Sequence, residues 1–309
     1  MNNSLNILFL AHDDILVMDD PAWITSLEMA RSNEGKITIL RVVENKDVPA
    51  YGTLSNGVVE QIKDELMSRI RIQIYSQVEN ISGIEVTICI KSGIEFIEVI
   101  KESLRGDYDL ITKVQEFYSN EFSSLDFHLL RKSKVPVWIF RHLHGRSYNS
   151  IVAAIDLSLE QTDEGRRINS RIMEFAKITA DNFDVDFDII SCWSVNGENE
   201  LYNNPFIKLI DTSVSEIIDL EESKYLGFMH EFKCKHGEDI NIKLIKGNPI
   251  EEIPKYVNRN RYDILVMGTV ARTGLSGYFI GNTAENILKS ISSSVITIKP
   301  ENFETPITI

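Results

Sequence analysis

The chain has 309 residues, 43% apolar and 25% charged, enough for two ordinary globular cores of about 150 residues each. Its 46 acidic against 32 basic residues leave a formal net charge of −14, which repels phosphate backbones and anionic lipid and argues against nucleic-acid or membrane-surface binding. No apolar run approaches the roughly 20 residues that span a bilayer, and 3 scattered cysteines without a Cys-x-x-Cys pair suit a reducing, cytoplasmic setting.

Met1-Asn2-Asn3-Ser4 lacks the basic start of a signal peptide, so none is expected. Ile7 to Ala11 is an unbroken apolar run and predicts a strand buried on both faces. The polar turn His12-Asp13-Asp14 follows. Asp13, Asp14, Asp19 and Asp20 lack the alternation and glycine of a calcium loop, and read as capping or solvating the first turn. Further strands are predicted at Ile37 to Val43, Val86 to Ile90, near Leu110-Ile111 and at Val137 to Phe140, with amphipathic segments between the later ones. The basic tract Arg131, Lys132, Lys134 and Arg141 reads as a helix end running into a linker. His142-x-His144 has no adjacent carboxylate or cysteine and is not taken as a metal site. The polar stretch 142–149 is the linker, dividing the chain into domains 1–145 and 146–309.

The second domain repeats the order of the first. Ile151 to Ile155, followed by Asp156-Leu157-Ser158, parallels the opening strand and turn, and Val185 to Trp193 parallels the second strand. Ile242 to Gly247 matches Val86 to Gly93, and Arg261-Tyr-Asp-Ile-Leu265 matches Asp107-Tyr-Asp-Leu-Ile111. Val295 to Ile298 closes this half as Val137 to Phe140 closes the other, and the same order at similar spacing, twice, is a duplication. Between the strands the apolar period becomes helical: Ile168, Ile172, Phe175, Ala176; Tyr225, Phe228, Met229, Phe232; Ala284, Ile287, Leu288, Ile291. Strands alternating with such helices specify a doubly wound parallel sheet in each half.

Ligands of such sheets bind beyond the carboxyl ends of the strands, where strand order reverses. The loops to inspect follow Ile155, Trp193 and Met267. The last is Gly268-Thr-Val-Ala-Arg-Thr-Gly274-Leu-Ser-Gly277-Tyr-Phe-Ile-Gly281-Asn-Thr, which leaves a buried strand and ends at a helix start. Glycines let backbone N–H groups approach phosphate oxygens, and a helix N-terminus adds a favourable dipole. Asn282 and Thr283 are suitable N-caps that could hydrogen-bond an anion instead. A glycine-rich surface loop before a well-capped helix is the alternative from these residues alone. The loop has no lysine placed for a γ-phosphate. Neither a Gly-x-Ser-x-Gly elbow nor a nucleophile-and-base spacing occurs around Ser158, Cys192 or His230, so no catalytic residue is assigned.

The loop is similar to the universal stress protein signature Gly-x2-Gly-x9-Gly-Ser/Thr, with Gly268 and Gly281 at the required separation of 13. Ala271 stands at the middle glycine and Asn282 at the Ser/Thr, with Thr283 next. Val266-Met-Gly-Thr-Val-x-Arg-Thr-Gly, Gly281-Asn-Thr-Ala-Glu, Lys246-Gly-x-Pro-x-Glu-x-Ile-Pro254 and Lys299-Pro-Glu-Asn-Phe-Glu-Thr-Pro306 resemble its tandem, two-domain branch. The resemblance implies two five-stranded Rossmann-like sheets of the adenine nucleotide alpha hydrolase-like kind. It implies ATP, with Mg²⁺ accompanying it, as ligand of the second domain: Asp156 at the base, Gly268, Arg272, Gly281, Asn282 and Thr283 around the phosphates, and Ile155, Trp193 and Thr269 also in the site.

In the first domain Val114 stands where Gly268 would be, Ser123-Ser124 stand near Gly281-Asn282, and the loop is four residues shorter, so this copy is expected to be structural. Residues 137–140 are expected to meet residues 295–298 within the chain, with a homo-oligomer left open. The function implied is a non-catalytic, cytoplasmic stress-response module. A ligand-independent scaffold, a binder of a small apolar, lipid-like molecule among Tyr202, Phe206, Tyr225, Phe228 and Phe232, and a slow ATPase are the alternatives.

Overall fold

The structure, a computed structural model, describes residues 4–12, 20–115, 121–141, 148–195, 197–198, 214–269 and 281–309. These divide into two compact units, one holding the described residues up to 141 together with 294–309, the other holding 148–269 and 281–293. The expected boundary at 145/146 and most of the linker, 142–147, lie outside the described residues. The closing strand of the chain counts with the first unit.

The first unit runs β1 (Ile7–Leu10), α1 (Pro21–Ser32), β2 (Lys36–Val43), α2 (Asn56–Val78), β3 (Glu85–Ser92), α3 (Glu95–Arg105), β4 (Leu110–Val114), α4 (Ser124–Lys132) and β5 (Val137–Phe140). The second runs β6 (Ile151–Ala154), α5 (Asp163–Phe183), β7 (Phe187–Trp193), α6 (Val214–His236), β8 (Ile242–Lys246), α7 (Pro249–Asn260), β9 (Ile264–Gly268) and α8 (Asn282–Ser290). The last strand, β10 (Ser294–Ile298), runs antiparallel to β5, with Ile296 opposite Trp138. Strand order in the first unit is β3-β2-β1-β4-β5-β10, and in the second β9-β6-β7-β8. Within each unit's own repeat all neighbours are parallel. Both are therefore α/β folds whose chain goes one way from the first strand, then returns to its other side.

The burial explains the sequence pattern. β1, β5 and β6 are buried along their whole length, as a strand covered by helices on both faces must be. Ile168, Ile172, Phe175 and Ala176 of α5 are buried, as are Ala284, Ile287 and Leu288 of α8. On α6 the aromatic stripe is sealed at its two ends, with Tyr225 and Phe232 buried and Phe228 and Met229 between them half-buried. Tyr202 and Phe206 lie outside the described residues. Asp20 caps α1 by accepting from the Ala22 N–H at 2.7 Å, whereas Asp13, Asp14 and Asp19 fall outside the described residues.

The duplication extends to hydrogen bonds that sequence spacing does not display. The carboxylate of Asp109 accepts from the Asn6 N–H at 2.8 Å, fixing the start of β1, and that of Asp263 accepts from the Ser150 N–H at 3.0 Å, fixing β6. After β3 the chain turns at Gly93 (φ 151°), and after β8 at Gly247 (φ 139°). A Cβ at either would strike the glutamate five positions on, Glu98 at 2.8 Å and Glu252 at 2.6 Å. Each glycine thus satisfies the same backbone demand. Among the described residues no helix is long and apolar enough to cross a membrane.

Candidate functional site

The reversal of strand order in the second unit falls between β6 and β9, whose register sets Ala154 beside Met267. The next residues out of the sheet are Ile155 and Asp156 on one strand, and Gly268 and Thr269 on the other. Four of the expected ligand residues are therefore neighbours at the switch point, where this architecture places ligands. Ile155 is buried and donates its N–H to the Ile190 carbonyl at 3.0 Å.

Asp156 is partly exposed, and its carboxylate has a local task. Oδ1 accepts from the Ser158 N–H at 3.0 Å and from the Ser158 hydroxyl at 2.6 Å, capping the short 3-10 turn Leu157–Gln161. The backbone of Asp156 is gripped by Asn169 of α5, whose amide donates to the Asp156 carbonyl at 3.0 Å and whose carbonyl accepts the Asp156 N–H at 3.4 Å. The same amide donates to Glu160 Oε1 at 2.8 Å, and Lys235 of α6 stands 3.5 Å from Glu160 Oε2. Asn169 and Glu160 are both buried, so this network sets Asp156 from behind. Asn169 and Glu160 are not among the site residues expected from sequence. The available signal was a polar side chain adjoining the apolar stripe of α5, next to Ile168.

Thr269 is fully buried, and its carbonyl accepts the N–H of Gly281 at 2.7 Å. That bond closes the neck of the glycine loop, bringing Gly268 and Thr269 against the start of α8. Residues 270–280, including Ala271 and Arg272, lie outside the described residues. Contrary to expectation, neither Asn282 nor Thr283 is the N-cap. Gly281 is, with φ −61° and ψ 142°, and it offers no side-chain hydrogen bond. Asn282 and Thr283 occupy the first helical turn and are exposed, and Asn282 Oδ1 accepts from Asn286 Nδ2 at 3.0 Å. The backbone decides it: Gly281 is extended and tied to the Thr269 carbonyl, so the helical turn begins only at Asn282.

The corresponding helix of the first unit begins differently. Ser123 caps α4 by accepting the Asp126 N–H at 3.2 Å, and Asp126 Oδ2 accepts the Ser123 N–H at 2.8 Å. Asp126 is fully buried, with Lys113 Nζ 2.9 Å from Oδ1 and itself only 1% exposed. An internal carboxylate thus sits where an anion would approach α4. In the second unit the equivalent positions are Met267 and Ala284.

Trp193 ends β7 one strand further along. It is buried, its ring centroid is 6.2 Å from Tyr225, the Lys246 ammonium lies 5.7 Å over it, and its carbonyl accepts the Gly247 N–H at 2.8 Å. The structure holds it in this aromatic contact with α6. Cys192 beside it is buried, and desolvation reinforced by the Glu252 and Asp156 carboxylates pushes its thiol up to about 12, so it stays protonated at neutral pH. Among the described residues no group of three or more potential metal ligands comes together.

This is a tandem α/β protein with a ligand-type switch point in its second unit. Comparison with known proteins agrees: residues 207–299 match the universal stress protein family model. Universal stress protein E of Photorhabdus laumondii is 26% identical over 301 residues, covering 94% of this chain and 93% of its own. Universal stress protein E of Escherichia coli K12 is 27% identical over 217 residues, 69% of this chain and 67% of its own. A putative universal stress protein from Pseudomonas aeruginosa superposes with a TM-score of 0.68 at 21% identity, over 96% of this chain and 94% of that one. One from Archaeoglobus fulgidus gives 0.62 at 17% identity, over 96% and 98%. Over residues 207–299 the chain carries the universal stress protein family match, and over 94% of its length it is similar to a universal stress protein E.

Proposed function

We propose that this is a non-catalytic, cytoplasmic stress-response protein whose second domain binds an adenine nucleotide, ATP with Mg²⁺. Ile155, Asp156 and Trp193 bound the base side, and Gly268, Thr269, Arg272, Gly281, Asn282 and Thr283 the phosphate side. The domains are the duplicated segments 1–145 and 146–309, of which the first is structural with respect to nucleotide.

One observation carries the reading. The Gly281–Thr269 bond sets a helix N-terminus without a capping side chain at the switch point beside Asp156, whereas its counterpart in the first unit is sealed by Asp126. A bare N-terminus presents unsatisfied N–H groups and the positive end of the helix dipole, which suit a phosphate. Calorimetry with ATP·Mg²⁺ tests it: binding should be present and be lost in Gly281→Asp, which adds a carboxylate at the cap. No heat at millimolar nucleotide would leave a ligand-independent scaffold as the surviving function. Release of ADP and phosphate at a steady rate would contradict the absence of catalysis.

A further inference from the structure

The first unit carries a cavity of about 290 Å³ at the carboxyl ends of β1 and β2, bordered by Arg41, Glu44, Lys46, Asp47, Glu95 and Ser124. Its cations are already engaged. Arg41 donates to the Val42 carbonyl and faces Asp47 Oδ2 at 3.6 Å, and Lys46 lies 2.7 Å from Glu44 Oε2. The adjoining N-terminus of α4 is closed by Asp126, itself paired with Lys113.

Glu95 is different. Its backbone N–H donates to Glu44 Oε1 at 2.9 Å, but among the described residues its carboxylate accepts no hydrogen bond. Burial pushes its pKa up, against the pull of Arg41, Lys113 and Lys46. Among the described lining residues, three carboxylates against two cations make a net negative charge while His12 is neutral. A partly buried acid without a hydrogen-bond donor, in a cavity at the ligand end of a parallel sheet, is an incomplete polar site.

We propose that this cavity is a second ligand site, for a small amine that donates N–H groups to Glu95, and that it rejects phosphorylated ligands. The volume is at the small end of ligand pockets and suits a small amine better than a nucleotide. Phosphate meets a net negative lining and a helix end already satisfied from within. An ammonium gains a charge-assisted hydrogen bond to a carboxylate that water solvates poorly. The assignment does not depend on nucleotide binding by the second domain.

The experiment is calorimetric titration of the full chain with 1,4-diaminobutane and agmatine, alongside inorganic phosphate and ATP·Mg²⁺. Amine binding should weaken at least about tenfold in Glu95→Gln, as expected for loss of one charged hydrogen bond. It should also be lost in Ser124→Trp, which fills the cavity from its exposed rim and leaves Glu95 intact. Gly281→Asp should leave amine binding unchanged, whatever it does to ATP. The proposal is overturned if neither amine binds at about 10 mM, if binding survives both first-unit variants, or if phosphate binds in a Glu95-dependent way.

Discussion

Replacing Asp126 with alanine tests how the first domain closes its helix end. Asp126 is fully buried, Lys113 is 1% exposed, and their charged atoms are 2.9 Å apart. Removing one partner strands a buried charge, a loss of about 3–5 kcal/mol. Asp126 also accepts the Ser123 N–H, so the cap adds about 1 kcal/mol to the cost of Asp126→Ala. Lys113→Met alone should cost a similar few kcal/mol, because the carboxylate then stays buried with only the α4 cap to satisfy it. The double variant installs the pair found at the matching positions of the second unit, Met267 and Ala284. Burying two charges is expensive even when they are paired, so the apolar pair should return stability to within about 1 kcal/mol of the parent. The assay is a double-mutant cycle by urea unfolding in a Trp193→Phe background, in which Trp23 and Trp138 of the first unit report its fluorescence. A coupling of at least about 3 kcal/mol is expected. Additive single and double effects would refute the reasoning, and so would single variants that each cost less than about 1 kcal/mol.

Three further outcomes follow from other parts of the fold. Burial drops the pKa of Lys299 to about 7, although its ammonium donates to the Leu130 carbonyl at 2.7 Å. The unfolded chain therefore holds one more proton than the folded one between pH 7 and about 10.5, so this group makes stability rise with pH across that window. The stability difference between the parent and Lys299→Met should accordingly shift by about 1.4 kcal/mol per pH unit there, read from urea curves at several pH values, and stay flat below pH 7. Gly247→Ala forces a Cβ to 2.6 Å from Glu252 at φ 139° and should cost about 2 kcal/mol, whereas Gly227→Ala, with open space around it inside α6, should gain about 0.5–1 kcal/mol in the same thermal melts. Asn169→Ala removes the grip on Asp156 and leaves Glu160 without its amide donor, a loss of about 2 kcal/mol in unfolding experiments, and weakened ATP binding should accompany it in calorimetry.

Much of this protein is local in origin. Runs such as Ile7 to Ala11 and Ile151 to Ile155 are apolar without alternation because both faces of those strands are covered. The stripes of α5 and α8 follow from helical period alone. Gly93 and Gly247 mark the same turn because only glycine takes that backbone beside a glutamate. These are short-range constraints, so the repeat, the α/β class and the loop between Gly268 and Gly281 are written directly in residue order. What the order could not express is which distant groups become neighbours. That Gly281 caps α8 depends on the Thr269 carbonyl across the loop. That Asp126 can close α4 while fully buried depends on Lys113 of β4, and the placement of Asp156 depends on Asn169 thirteen residues away. Each is decided by burial, which turns an ordinary polar side chain into one that must find its partner in three dimensions.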